Sequence, residues 1–412
     1  MMQIKGFSLI QYAQVIRQLS LLAVNVLLTK NLLTTTQIGQ YEWLWYFNSA
    51  LTFAWTSGII QYASATIRKS NDPNTLKNIF WLLQLLSTVS FLAVLAVKPN
   101  AEGWLYFFLY QFFNNPSLIL EYIYYWEGKN KALFYVSTVS NLFFIVFLTL
   151  PLYYNFSISI AYLLLFVVGF VRWLLLIWHL QPIQRPQIKI IFDHFKLAFP
   201  LILYALLGSF SVILDGWLLE YYYNDANIFA IYRYGAKELP NITTLSVSFS
   251  LALIPMLSSN MTSGLQILKS KSKLMMPLFF LPAIVIICYI REIFTFFYSP
   301  VFLSSIPIFK IYLLMAIVRS IFPQSIMNAK GYYKQILMIA IIEIGINVIA
   351  SVLLINKIGM IGLAWGTFIA FFSEKIMQMI YLWRKDHIKI SDYVPYSYYI
   401  YSVLLLVLYY YS

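Results

Sequence analysis

In a chain of 412 residues, 61% are hydrophobic, 19% aromatic and only 10% charged, whereas a soluble domain carries about 25% charged residues to solvate its surface. That shortage excludes a water-soluble globular fold and, with a mean hydropathy of +0.74, leaves an integral membrane protein. The net charge of +13 is no nucleic-acid signature, because the cations fall between apolar runs, and the single cysteine, Cys288, excludes an intrachain disulfide framework.

Apolar windows of about 20 residues, the length that crosses a bilayer, recur along the chain. They predict an all-α polytopic protein with helices near 8–29, 38–62, 78–97, 104–124, 132–152 and 159–180, then 197–220, 228–257, 275–295, 307–327, 335–355 and 360–383. The first window is too long for a cleaved leader and lacks a small-residue cleavage site. A last apolar run, 396–412, is short for a span and is expected to lie outside the twelve-helix core. Tyr and Trp crowd the ends of these runs, as rings anchored at headgroup level do.

Alternate loops hold most of the cations: Lys5; Arg68, Lys69 and Lys77; Lys129 and Lys131; Arg185, Lys189 and Lys196; Lys269, Lys271 and Lys273; Lys330 and Lys334; Arg384, Lys385 and Lys389. The opposite loops hold Lys30, Lys98 and Lys357. The positive-inside rule therefore puts the amino terminus and the loops at 63–77, 181–196 and 258–274 in the cytoplasm.

The stretch Gln181-Pro-Ile-Gln-Arg-Pro186 separates six predicted helices from the next six. Ile38-Gly-Gln-Tyr41 is echoed by Phe229-Ala-Ile-Tyr232, and Gly128-Lys-Asn-Lys131 by Gly331-Tyr-Tyr-Lys334. The similar offsets point to a duplicated six-helix unit, common among transporters with a site between repeats. The expected division is an N-terminal lobe at 1–183, a C-terminal lobe at 184–395 and the apolar segment at 396–412.

Lys196-Leu-Ala-Phe-Pro200 opens the seventh helix, which carries Asp215 toward its far end; Tyr232, Gly235 and Pro255 follow in the eighth. Asn328-Ala-Lys-Gly-Tyr-Tyr-Lys334 then precedes a helix containing Asn347, and Gly359-Met-Ile-Gly-Leu-Ala-Trp-Gly-Thr367 comes after it. This succession resembles the polysaccharide-export branch of the multidrug/oligosaccharidyl-lipid/polysaccharide superfamily, the Wzx-type O-antigen flippases. The resemblance spans nearly the whole chain and is strongest from residue 196 onward, in small residues, prolines and helix spacing rather than in a catalytic string. It implies two six-helix lobes around a central cavity, alternating access, and an undecaprenyl-pyrophosphate-linked oligosaccharide as cargo in a bacterial cytoplasmic membrane. The polymerase and glycosyltransferases of the same pathway are then the expected partners.

A charge at mid-membrane costs about 2.5–3.5 kcal/mol on insertion scales, so it persists where it faces a cavity or a partner. Arg17, Arg172, Arg233, Lys237 and Arg319 lie inside predicted helices, and together with Asn347 they are the candidate substrate-binding residues. Arg233 and Lys237, four apart, are expected to share one helical face. Such cations suit a pyrophosphate, which the planar fork of Arg grips in pairs. Asp215, Glu238 and Glu343 are the candidate coupling-ion or ion-pair residues. Glu42, Glu121 and Glu374 are also intramembrane, so structural ion pairing, notably Asp215 with Arg233, stands beside the cargo-binding reading. Lys375 either faces the cavity or snorkels to the interface. Asn114-Asn-Pro116 interrupts the fourth helix as either a kink or a ligand-binding break.

No phosphate-binding Gly-rich loop, Ser/His/Asp constellation or metal-ligand spacing is present, so no cofactor, metal or enzymatic activity is expected. A membrane-embedded O-antigen polymerase or glycosyltransferase would share this composition, but the predicted outer loops are short and nearly uncharged. A drug or ion antiporter of the same superfamily would share the fold, but would favour acidic cavities for cationic cargo.

Overall fold

Long apolar stretches without backbone breakers have no other stable form in a bilayer than the α-helix, which satisfies its own N–H and C=O groups. The computed structural model of the chain describes residues 2–67, 73–181 and 187–411, all of whose regular elements are helical. Arg68, Lys69 and the linker residues 182–186 lie outside the described residues, as do the side chains of Lys5 and Pro255. Eight of the described helical segments are long and apolar enough to cross a membrane. The protein is an all-α, multi-pass membrane protein.

The chain forms two compact units, Met1–Ile213 and Leu214–Ser412. The first begins with α1 (Met2–Leu27), a five-residue π turn (Leu28–Leu32), α2 (Thr35–Ile67) and α3 (Pro73–Val97). Next, α4 (Trp104–Ser117) runs almost directly into α5 (Ile119–Trp126), and α6 (Asn130–Tyr153) and α7 (Ile158–His179) follow. Pro116 explains the break between α4 and α5: it offers no N–H to the carbonyl of Phe112 four residues back. That carbonyl accepts instead from Ser87 Oγ of α3 at 2.9 Å. Helix α8 (Ile188–Tyr223) gives all but its last turns to the first unit. It crosses α2 so closely that a Cβ on Gly58 would sit 2.6 Å from the backbone nitrogen of Ile202. Small residues allow such approach between membrane helices.

Two apolar cores form in this unit. One gathers Phe80, Leu83, Ile119, Leu120 and Leu176, the other Leu44, Phe107, Leu148 and Leu165. Between them, at matching depth along each helix, lies a buried polar layer: Asn48 and Thr52 on α2, Ser87 on α3, Gln111 and Asn114 on α4, Asn141 on α6 and Arg172 on α7.

The second unit continues with α9 (Ala226–Gly235), α10 (Pro240–Ser259), α11 (Met261–Cys288) and α12 (Ile290–Phe297). A 3-10 turn (Pro300–Ser305) leads into three short helices, α13 (Ile306–Leu313), α14 (Met315–Arg319) and α15 (Pro323–Ala329). Then come α16 (Tyr333–Ile358), α17 (Met360–Asp386), the single turn α18 (Ile390–Tyr393) and α19 (Tyr396–Tyr411). The expected eighth and tenth helices are therefore discontinuous, broken around Lys237 and Ser320. Helices α16 and α17 form a hairpin on Gly359, whose φ of +65° glycine adopts without a Cβ penalty.

Much of the expected loop at 258–274 is helical, as the start of α11, and so is the end of the loop at 181–196, as the start of α8. At 36 residues α8 is about 54 Å long, well beyond a hydrocarbon core of about 30 Å, so it continues into water. The start of α11 is held by Asn260, whose side chain accepts from the N–H of Ser263 at 3.1 Å. Hydropathy reads where a helix leaves the apolar core, not where it ends.

The last apolar run is α19. Near its start Tyr399 donates to the carbonyl of Ile317, and near its end the ring of Tyr410 meets Trp365 edge-on. Tyr396 lines a groove with Trp383 of α17, so α19 runs antiparallel to α17. At 16 residues its own length is about 24 Å.

Candidate functional site

Each unit holds a cluster of buried and half-buried charges at the depth of its helix breaks. In the first unit Glu121 of α5 is shared by two arginines. Arg17 of α1 donates to its Oε2 at 2.9 Å, and Arg172 of α7 to its Oε1 at 3.1 Å. Arg172 also reaches Asn114 Oδ1 at 3.4 Å, at the far end of hydrogen-bond range. The break at Pro116 thus places Asn114 and Glu121 on either side of the Arg172 guanidinium. Helices α4 and α7 come close enough for this because Gly169 packs on Tyr110, where a Cβ would sit 2.9 Å from the carbonyl oxygen. Two cations share one anion, so the trio carries a surplus positive charge. Arg172 is buried with a side chain 9% exposed, whereas that of Arg17 is 35% exposed. Arg17 is the member that can meet a ligand.

In the second unit Arg319, at the end of α14, forms a two-pronged pair with Glu238, from Nε to Oε2 at 3.1 Å and from Nη2 to Oε1 at 2.7 Å. The Arg319 guanidinium also lies over the ring of Phe371 at 5.0 Å. Glu238 belongs to the break between α9 and α10, and the break after Arg319 is sealed by Ser246 Oγ, which donates to its carbonyl at 2.9 Å. Glu343 of α16 is buried, and both it and Glu374 lie close enough to act electrostatically on Arg319. Lys375 contacts Glu374 at 3.3 Å rather than snorkelling, and Gln378 donates to the same carboxylate at 2.7 Å.

Asp215, 4% exposed on α8, accepts from three hydroxyls. Tyr232 of α9 donates at 2.7 Å, Tyr312 of α13 at 3.2 Å and Thr367 of α17 at 3.1 Å. Next to Thr367, Gly366 leaves room for Ser351 of α16, whose hydroxyl donates to Asn347 Oδ1 at 2.9 Å. Asn347 is fully buried, and its Nδ2 has no hydrogen-bond partner among the described residues. The result is a continuous polar seam of one carboxylate and five uncharged groups, rich in oxygens.

Arg233 sits half-buried in the last turn of α9. Helix α9 stops at Gly235, so Lys237 lies beyond it and the expected shared helical face of these two cations does not form. The helix ends at a glycine, a weak helix former whose missing Cβ lets it pack flush on α13, where a Cβ would meet Ile308 at 2.7 Å, and Pro240 starts a new helix soon after. The Lys237 ammonium lies 3.8 Å above the ring of Tyr234 instead. Sequence reasoning missed that Tyr232, Tyr312 and Thr367 converge on Asp215, and it missed Asn48, Thr52, Ser87, Gln111 and Asn141 of the polar layer. The hydroxyls come from helices far apart in sequence, and single Ser, Thr or Asn residues in apolar windows carry no local signal.

No family model matches the sequence, and no curated protein does. Solved structures do resemble it. The lipid II flippase MurJ, in an inward closed conformation, matches with a TM-score of 0.68 at 15% identity, over 99% of this chain and 97% of its own. A multidrug resistance MATE family transporter of the MOP superfamily, in an outward-facing conformation, matches with 0.61 at 14% identity over 95% of each chain. A MOP superfamily transporter from Pyrococcus furiosus matches with 0.57 at 13% identity over 95% of each chain. At these identities the likeness shows a shared fold.

Proposed function

We propose that the chain is a flippase that moves an undecaprenyl-pyrophosphate-linked oligosaccharide, an O-antigen or related repeat unit, between leaflets of a bacterial cytoplasmic membrane by alternating access. The observation that carries this reading is the Arg17–Glu121–Arg172 trio. An excess positive charge held inside a membrane-spanning unit, with one arginine side chain 35% exposed, is a receptor for a diphosphate and a poor host for a cationic drug. Fold similarity to a lipid II flippase supports the same class of cargo. Arg233, Lys237 and Arg319 are further candidates for the anionic head group, and Asn347 for the sugar. Arg319 contributes mainly as the partner of Glu238. Asp215, with Glu238 and Glu343 as alternatives, is the proposed coupling-ion site, because three hydroxyls and a carboxylate suit a proton or a small cation. The polymerase and glycosyltransferases of the pathway would supply and consume the cargo.

The test is restoration of surface polysaccharide in a flippase-null host, with protein level measured in parallel. Arg17→Ala should lower export at least about tenfold without loss of protein, and Arg17→Lys should restore it only in part, because a point charge replaces a planar fork. Full export by Arg17→Ala would refute the anionic-cargo role. Drug antiport rests on Asp215 as a cargo acid. Resistance to cationic drugs that rises with the wild-type chain and falls in Asp215→Asn, without any restored polysaccharide, would establish that reading instead.

A further inference from the structure

At the end of α17 that bears Arg384 and Lys385, a groove of about 670 Å³ opens between α17, α18 and the start of α19. Its volume falls in the range of about 300–1,000 Å³ typical of small-ligand pockets. Ile376, Ile380 and Trp383 form one wall, and Ile390 and Tyr396 the other. Lys389 is the one charged residue among the described residues that line it.

The groove has an apolar approach and a cationic end. Ile369, Phe372, Ile376, Ile380 and Trp383 recur every three or four residues on α17 and are all more than a third exposed, an apolar stripe leading along the helix into the groove. Trp383 and Tyr396, both about half-exposed, mark headgroup level. The far wall is fixed rather than loose: Lys269 of α11 donates to the carbonyl of Ser391 at 2.7 Å, and the Lys273 ammonium lies 4.0 Å from the centre of the Tyr398 ring.

Three exposed cations beside the groove, Arg384, Lys385 and Lys389, have no ion-pair partner among the described residues. The nearby acids bond to groups other than these three side chains. Asp386 accepts from Lys330 at 2.9 Å and Tyr332 at 3.0 Å, and Asp392 accepts from the backbone N–H of Lys389 at 2.8 Å. Positive charge at the polar end and hydrocarbon-facing surface at the other match one kind of molecule.

We propose that this groove is a binding site for an anionic phospholipid of the surrounding bilayer, its acyl chain along Ile376 and Ile380 and its phosphate on Lys389, with Arg384 and Lys385 adding long-range attraction. A zwitterionic lipid fits the apolar wall equally well but gains no net attraction from the cations. Each basic residue near a membrane surface adds about fivefold in affinity for an anionic headgroup. The site lies within the second unit and involves none of the proposed cargo or coupling residues, so it stands or falls independently of the flippase reading.

The experiment uses the purified full chain, delipidated in detergent and titrated with phosphatidylglycerol or phosphatidylcholine of identical acyl chains, with bound lipids counted by native mass spectrometry. The wild-type chain should retain one phosphatidylglycerol at least about fivefold more tightly than phosphatidylcholine. Lys389→Gln should remove about fivefold of that preference. Ile380→Trp, a change on an exposed face, should fill the groove and abolish retention of both lipids while leaving the melting temperature unchanged. Equal retention of the two lipids, or a preference untouched by Lys389→Gln, would overturn the proposal. So would displacement of phosphatidylglycerol by one equivalent of undecaprenyl phosphate, which would give the groove to the cargo, or by inorganic phosphate, which would leave only a surface anion site.

Discussion

Replacing Glu121 by Gln removes the one anion that two arginines share. The side chain of Glu121 is 7% exposed and that of Arg172 9%, so the contact between them at 3.1 Å lies in a region of low dielectric. Breaking a buried pair by removing one partner costs about 3–5 kcal/mol, because the remaining charge is left without compensation. The contact with Arg17, whose side chain is 35% exposed, is screened and adds at most about 1 kcal/mol. Gln keeps one accepting oxygen, which places the expected loss at the low end, about 3 kcal/mol. In a unit of about 200 residues each kcal/mol moves the melting temperature by roughly 2–4 °C, so the purified variant should melt roughly 6–12 °C lower, with Arg172 left needing an anion. Removing the second charge should reverse this. The pair Glu121→Gln with Arg172→Gln should recover to within about 1 kcal/mol of the wild-type chain, because no orphan charge remains. The assay is loss of the monodisperse peak after heating in detergent. A single variant melting within about 2 °C of wild type, or a double variant melting no higher than the single, would refute the assignment of this trio as a held, desolvated cluster.

In Asp215→Asn the amide oxygen still accepts from the two tyrosines and the Thr367 hydroxyl can turn to accept from the amide N–H, so melting should hold steady while export loses its dependence on external sodium or pH. Export that stays ion-dependent in this variant would remove Asp215 from coupling. Gly362→Ala should destabilise by roughly 1–3 kcal/mol or prevent folding, because its Cβ would lie 2.3 Å from the backbone carbonyl carbon of Leu354, which cannot retreat. Gly345→Ala on the neighbouring helix, with nothing within 4 Å, should leave melting unchanged or raise it slightly. Topology reporters after Lys77 and Lys273 should both report cytoplasm, and one after Tyr411 the opposite side. A cytoplasmic signal after Tyr411 would mean that α19 does not cross alongside α17.

The helical class and nearly every apolar segment are legible in the sequence because hydropathy in a bilayer is a local property: a window of about 20 residues is enough to decide whether its own segment spans. The hairpin at Gly359 and the break at Pro116 are legible for the same reason, since glycine and proline act on their own backbone. The candidate site is less so. That Arg17, Arg172 and Arg319 lie inside the membrane follows from their positions in apolar windows, but that Glu121 serves two of them does not. The three residues of the trio stand on α1, α5 and α7, and only packing brings them together. Lys237 shows the converse failure. Four-residue spacing promised a shared face with Arg233, but the promise holds only while the helix continues, and this one stops at Gly235.

The hairpin of α16 and α17 has a bearing on how the Asp215 shell can come apart. Gly362 and Gly366 let the two backbones touch without an intervening side chain, and the loop between them is a single residue. Two rods joined so tightly travel as a single lever, carrying Asn347, Ser351 and Thr367 in fixed register. Tyr232 and Tyr312 arrive on short segments, α9 and α13, each bounded by irregular backbone that absorbs rotation at little cost. The shell therefore has an anchored jaw and a releasable one, and the tyrosines are the contacts that any rearrangement of this unit breaks first.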